Sequence, residues 1–284
     1  MAPELAVTIH ALVGGGAARL AAAGVPAARR EALALWAAVG GGSPGAGVLD
    51  GDRSAGTGAE PFQAAVQRRA AGEPLAHVIG RAGFRHLDLV SDHRALIPRP
   101  ETEGLVELLL GVAGTGRVAD VGTGSGCLAL SLATEGGFSE VVATDVSSAA
   151  LSLARENRDR IGARVLLAQG DLCRPLRSGA FDALVSNPPY LTVDEYAALD
   201  PAVRAWEPRE ALVGGVDGLE SISRLLDEGR AVLRTGGWVA MEIDCSRAAE
   251  CAGRAGALGW TDVGIHADLF GRERYLLARR SDTT

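Results

Sequence analysis

Val118-Ala119-Asp120-Val121-Gly122-Thr123-Gly124-Ser125-Gly126 decides the fold. Its first four residues have the length and composition of a buried strand. Glycines at 122, 124 and 126 then let a ligand approach the backbone closely, and Cys127 to Ala133 opens a helix whose N-terminus meets that ligand. Strand, glycine loop and helix in this order begin an α/β sheet. The spacing is GxGxG, not the GxGxxG of dinucleotide binders. An acid at the strand end, Asp120, suits a ligand carrying an ammonium group better than a pyrophosphate.

Downstream the alternation continues. A second strand, Val141 to Thr144, ends at Asp145, placed for ribose hydroxyls. A third, Val165 to Ala168, ends at Gly170-Asp171-Leu172, where an adenine edge and face would be met. Any one of these acids alone reads as a helix cap; loop and acids together indicate a nucleoside ligand. The fourth strand, Phe181 to Val185, delivers Ser186-Asn187-Pro188-Pro189-Tyr190. Alone, this is an Asn-Pro turn. Two prolines stiffen it and remove two N–H donors. What remains is the Asn187 side-chain oxygen, the Pro188 carbonyl and the Tyr190 ring, which suit a planar conjugated –NH2 group. A turn-rich stretch, Glu207 to Leu219, is expected to cover the site. A helix from Ser221 to Leu233 and strands at Trp238 to Ile243, Thr261 to His266 and Arg274 to Leu277 complete the sheet.

Upstream, residues 1–80 carry helical spacing through Leu5, Ile9, Leu12 and Val13, through Ala32 to Trp36, and from Glu60 to Arg69. Gly40 to Gly58 interrupts it. Six Arg and six acids balance across this segment, so it is no nucleic-acid arm; it recognises a protein or packs. Residues 81–97 change period and predict a hairpin turning at Ser91-Asp92-His93, joining two domains. Pro98-Arg99-Pro100-Glu101-Thr102-Glu103 follows, with Thr102 as the expected helix N-cap. Arg99, held between prolines, is a candidate contact rather than a loose linker charge.

Composition sets the bounds. The 284 residues are 47% hydrophobic with a formal net charge of -7, which fits two globular domains and argues against a general polyanion binder. All 28 basic residues are Arg, which excludes a Schiff-base or Walker lysine. The four Cys lack metal-ligand spacing, so no metal site is expected and a reducing cytoplasm fits. Neither a signal peptide nor a membrane span is indicated.

The Asp120-to-Gly126 loop with Asp145 resembles the binding motif of class I S-adenosylmethionine-dependent methyltransferases. Asn187-Pro188-Pro189-Tyr190 is similar to the catalytic motif of those that methylate amide or exocyclic amino nitrogens. Pro98 to Glu103 and Glu207-Pro-Arg-Glu-Ala-Leu212 resemble the release-factor glutamine methyltransferases over nearly the whole chain. The resemblance implies a helical N-terminal domain (1–80) for substrate recognition, a β-hairpin linker (81–100) and a doubly wound methyltransferase domain (101–284) with an antiparallel C-terminal strand. It implies S-adenosylmethionine held by Asp120, Gly122, Thr123, Gly124, Ser125, Gly126, Asp145, Asp171, Leu172 and Asn187. A glutamine of class I peptide chain release factors, the GGQ-motif glutamine, would meet Asn187, Pro188, Pro189, Tyr190 and Arg99. A monomer without stable nucleic-acid binding is expected. The alternatives are a ribosomal-protein glutamine methyltransferase, a DNA or RNA adenine amino methyltransferase, and a nucleoside binder without catalysis. One departure is Asp244, where the family usually has glycine.

Overall fold

A computed structural model describes residues 7–40, 45 and 50–281, the Ala202 side chain excepted. The chain divides between Gly80 and Arg81 into two compact units. The first contains α1 (Ile9–Ala22), α2 (Ala28–Gly40), α3 (Ala59–Ala70) and α4 (Leu75–Ile79). The α1 residues Ile9, Leu12, Val13 and Leu20 share one core with Leu35 and Phe62. A Cβ on Gly16 would stand 2.6 Å from the Phe62 ring, so glycine is what lets α1 and α3 pack this closely. Helix α4 is an addition to the three expected, too short to show a period in the sequence. Leu5 and most of 41–49 lie outside the described residues.

The second unit contains a hairpin, β1 (Arg81–Phe84) with β2 (Leu87–Val90), and a sheet of seven strands: β3 (Thr115–Val121), β4 (Gly137–Asp145), β5 (Leu166–Gln169), β6 (Phe181–Ser186), β7 (Leu233–Glu242), β8 (Trp260–Ala267) and β9 (Glu273–Arg280). Their order is β5-β4-β3-β6-β7-β9-β8, and β9 runs antiparallel to both its neighbours while the remaining pairs are parallel. Strand β6 is buried at every residue. Leu184 joins a core with Ile222 and Leu225 of α10 (Glu220–Val232) and Cys251 of α11 (Ala248–Ala257). Ala183 and Val185 face the other way, into a core with Leu105 of α5 (Glu103–Val112) and Leu130 of α6 (Cys127–Glu135). Helices thus cover both faces, as a largely parallel sheet requires. After β3 the chain moves outward to β4 and β5, then crosses back to β6. The β3–β6 boundary is therefore the topological switch point, where the carboxyl ends of the strands leave a crevice. Among the described residues no helix is long and apolar enough to cross a membrane.

Two local expectations are corrected. The hairpin turns at Arg85-His86, with Phe84 paired to Leu87, not at Ser91-Asp92-His93, and residues 95–97 form no strand. Arg85 takes φ 50°, a conformation its residue type does not signal, and is compensated from afar. Its N–H donates to Glu103 Oε1 at 2.9 Å and its guanidinium to Glu135 Oε2 at 2.6 Å. Thr102 precedes α5, but its side chain does not cap the helix. It turns instead toward β7, as described below.

The start of α5 is pinned by Tyr275 of β9, whose hydroxyl donates to the Glu101 carbonyl. Gly104 makes room for it: a Cβ there would stand 2.5 Å from the Tyr275 hydroxyl. Gly111, in the same helix, has nothing within 4 Å of its would-be Cβ. Gly104→Ala should therefore destabilise by ~1–3 kcal/mol through overpacking, whereas Gly111→Ala should stabilise by up to ~1 kcal/mol through helix propensity. Urea unfolding of the two variants checks the opposite signs.

Candidate active site

At the switch point four strand ends converge on one cavity of about 590 Å³, within the range of small-molecule sites. Gly122, Thr123, Gly124 and Ser125 line it after β3, Asp145 at the end of β4, Asp171 and Leu172 after β5, and Asn187 and Pro189 after β6. The loop is shaped by its glycines, with φ of 74°, 55° and 87° at Gly122, Gly124 and Gly126. Gly122 and Thr123 donate to the Thr144 carbonyl at 2.8 and 2.9 Å. Asn157 of α7 (Ser148–Ile161), which the sequence did not single out, donates to the Ser125 carbonyl at 3.0 Å and is bonded both ways to Val90. It thereby ties the loop to the hairpin.

The carboxylates differ in their work. Asp145 accepts from the Gly124 N–H and the Ser147 N–H, each at 2.9 Å, and still borders the cavity. Burial raises its pKa. Asp171 pairs with Arg224 at 2.8 Å, which holds its pKa low. Leu172, at φ 49°, is a non-glycine residue in the left-handed region; its carbonyl accepts from the Thr144 hydroxyl at 3.1 Å. Asp120 does not line the cavity. It is buried behind the loop, where one oxygen accepts from the Thr123 hydroxyl at 2.6 Å and from the Ala129 N–H at 3.0 Å. Its second oxygen has no partner, and burial pushes its pKa up to about 7. As placed, it supports the loop rather than touching a guest. Gly126 likewise lies behind the lining.

In the turn after β6, Asn187 and Pro189 border the cavity while Pro188 is buried. The Tyr190 ring does not border it. Partly buried, it packs against the core that β6 shares with α10 and α11, its hydroxyl interacts with Arg274, and burial raises the hydroxyl pKa to about 12. A stacking role for this ring is thus replaced by an anchoring one, because the space available to it lies inward. Gly214 and Gly218 let the covering stretch lie against the turn, since a Cβ on either would collide with a backbone oxygen of Pro189 or Tyr190.

The two remaining motif segments meet each other. Arg99, bordering the cavity, donates to both oxygens of buried Glu207 at 2.6 and 2.8 Å. The covering segment from Pro208 to Val216 also lines the cavity, and it is preceded by two short helices that were not expected, α8 (Val193–Ala198) and α9 (Pro201–Trp206). Sequence reasoning missed Glu242. Met241 of β7 is paired with Ser186, so Glu242 lies abreast of Asn187. The Thr102 hydroxyl donates to Glu242 Oε2 at 2.6 Å and accepts from the Asn187 side-chain N–H at 3.1 Å. Asp244, the noted departure, accepts from the Ser246 N–H and starts a short turn away from this contact. Cys127 borders the cavity, but burial pushes its thiol up to about 12, so it is no thiolate nucleophile. Among the described residues no group of three or more His, Cys, Asp or Glu could hold a metal ion.

Residues 101–200 match the family model "Methyltransferase small domain" and residues 12–80 match "PrmC N-terminal domain". The chain is 42% identical over 268 residues to the "Release factor glutamine methyltransferase" of Deinococcus radiodurans, covering 93% of this chain and 95% of the relative. It is 39% identical over 284 residues to the protein of the same name from Rhodospirillum rubrum, covering 98% and 87%. The fold is similar to a crystal structure of a methyltransferase from Pyrococcus furiosus, with a TM-score of 0.54 at 22% identity, over 77% of this chain and 98% of that one.

Asp120 generates a pH prediction. A carboxyl whose folded pKa lies above its unfolded value holds its proton more tightly when folded. The stability this brings is full at low pH and is lost as the pH rises from 3.8 to about 7. Asp120→Asn, which cannot ionise, should flatten that slope by a few kcal/mol. Urea unfolding at a series of pH values, without ligand, checks it; parallel profiles for the two proteins would contradict it.

Proposed function

This chain belongs to the release factor glutamine methyltransferase family, and from that premise we propose that it methylates the side-chain amide nitrogen of the GGQ-motif glutamine in class I peptide chain release factors. The observation that carries the reading is that Asn187 borders the same cavity as the glycine loop and Asp145. The residues present fit S-adenosylmethionine. Gly122 lies in the cavity wall with nothing within 4 Å of its would-be Cβ, so a ligand can approach the backbone there. Asp145, its pKa raised by burial, is favoured in its charged form by hydroxyl donors such as those of a ribose. Thr123, Gly124, Ser125, Asp171 and Leu172 complete the holding set. When bound, this cofactor supplies an electrophilic methyl group on a sulfonium.

What this chain contributes is orientation and electrostatics. A carboxamide nitrogen is a poor nucleophile because its lone pair is conjugated with the carbonyl. The Asn187 side-chain oxygen and the carbonyl of Pro188, whose ring is buried but whose peptide leads into cavity-lining Pro189, accept the two N–H groups of the substrate amide and fix its nitrogen in one direction. Positive charge developing on that nitrogen meets two carbonyl dipoles. No base is needed beforehand, because the methylated amide cation is strongly acidic and gives its proton to water. Tyr190 anchors the turn from below. Arg99, through Glu207, holds the covering segment beside the cavity. Residues 1–80 serve recognition of the protein substrate, 81–100 carry the hairpin that precedes the motif, and 101–284 perform the transfer. The enzyme acts as a cytoplasmic monomer, and its net charge of -7 gives it no general affinity for nucleic acid.

Incorporation of labelled methyl into purified release factor, beside DNA, RNA and ribosomal protein, tests the substrate. Label is expected in the release factor alone, and label in nucleic acid would overturn the reading. Asn187→Ala should lower kcat about 10²-fold with cofactor affinity kept, on the scale of losing one preorganised partner. Asp145→Ala should do the converse, weakening cofactor binding by ~1.5–3 kcal/mol in calorimetry.

A further inference from the structure

An asparagine clamp has a weakness. The oxygen and the NH2 of its amide are nearly alike in shape, and half a turn about the last torsion exchanges them. A guest amide brings two donors. An Asn187 turned the wrong way would offer it two more donors, and the site would repel what it should hold. Something must set which end faces the cavity.

The structure assigns this task to Thr102 and Glu242: we infer that they form a positioning relay that keeps the Asn187 oxygen, not its nitrogen, toward the substrate. Hydrogen-bond polarity decides which end faces the cavity. Glu242 is 2% exposed; the Thr102 hydroxyl and the Arg274 guanidinium 3.7 Å away favour its charged form against the cost of burial, and as a carboxylate it can only accept. Thr102, also 2% exposed, has a single hydroxyl hydrogen, and it points to Glu242 Oε2 at 2.6 Å. The Thr102 oxygen then has only lone pairs left for Asn187, and only the Asn187 NH2 can use them, at 3.1 Å. The acceptor end of Asn187 is thereby left for the cavity. Turning the amide over would set oxygen against oxygen beside a buried carboxylate, which a low-dielectric site penalises.

Each member is itself held. Glu242 stands on β7 abreast of Tyr275, with the Arg274 guanidinium 3.7 Å from its other oxygen. Thr102 ends a short turn whose Glu101 carbonyl accepts from the Tyr275 hydroxyl. Thr102 borders the cavity, but its hydrogen and a lone pair are engaged. Both residues therefore act through Asn187, and the relay rests on the reading of Asn187 as the acceptor for the substrate amide.

A double-mutant cycle on the full-length enzyme, with release factor and S-adenosylmethionine under single-turnover conditions, tests it. Thr102→Val should slow methyl transfer about 10-fold or more while leaving the KM for release factor and the cofactor Kd within about twofold. In the Asn187→Ala background the same change should have no further effect, because a relay acts only through the residue it positions. Thr102→Ser, which keeps the hydroxyl, should retain the wild-type rate. A wild-type rate in Thr102→Val, slowing that multiplies with Asn187→Ala, or a slow Thr102→Ser would each overturn the relay. A wild-type rate in Asn187→Ala would instead overturn the reading beneath it. Should Thr102→Val not fold, Glu242→Gln takes its place in the cycle, since its amide can donate to Thr102 and reverse the relay's polarity; a wild-type rate there overturns the proposal.

Discussion

A turn with two consecutive prolines has lost two of its N–H groups and can chiefly receive hydrogen bonds. That constraint at Pro188-Pro189 organises the rest of the site. The turn leaves a strand buried at every residue, so its base cannot shift. The Ser186 hydroxyl donates to the Val121 carbonyl at 2.6 Å, tying the end of β6 to the end of β3 where the glycine loop begins. On the far side, glycines at 214 and 218 let the covering stretch press on the same backbone. A turn so poor in donors and so confined keeps its geometry when a guest arrives, and electrostatic preorganisation has this requirement.

The charge of the surroundings follows a consistent logic. Asp120, Asp145 and Glu242 lie at the ends of β3, β4 and β7, and burial raises the pKa of each. Buried carboxyls without nearby cations are costly, and a cationic ligand favours their charged forms. The Arg274 guanidinium stands 3.7 Å from Glu242, and Arg99 at the cavity edge is occupied by Glu207. Arg94, Arg99, Arg209 and Arg224 also line the cavity, but Arg94, Arg99 and Arg224 are paired with carboxylates, which leaves the strand-end acids to meet a sulfonium. Burial pushes the Cys127 thiol up to about 12, which disfavours a thiolate at the cavity.

What could be read from the sequence was what local pattern determines. The glycine spacing after β3, the acid closing β4, the apolar run of β6 and the Asn-Pro-Pro turn are local features, and the strand ends they mark do border one cavity. What could not be read depends on pairings across the fold. Arg85 adopts a positive φ because Glu103 and Glu135 hold it, and nothing in Arg-His announces a turn. Thr102 reads as a helix cap, yet its partner stands 140 residues away on β7. Tyr190 follows the Asn-Pro-Pro turn and looks like a platform, but only the packing around it reveals that its ring lies against the core. Asp120 shows the same division: its position at a strand end was legible, while its orientation behind the loop depends on the helix that follows.

The most direct test of the account is a crystal structure of the protein with S-adenosylhomocysteine and a release-factor peptide containing the glutamine. The glutamine amide nitrogen is expected within hydrogen-bond distance of both the Asn187 side-chain oxygen and the Pro188 carbonyl, with the Asn187 NH2 still on Thr102. A glutamine amide bound elsewhere, or an Asn187 whose NH2 faces the guest, would contradict it.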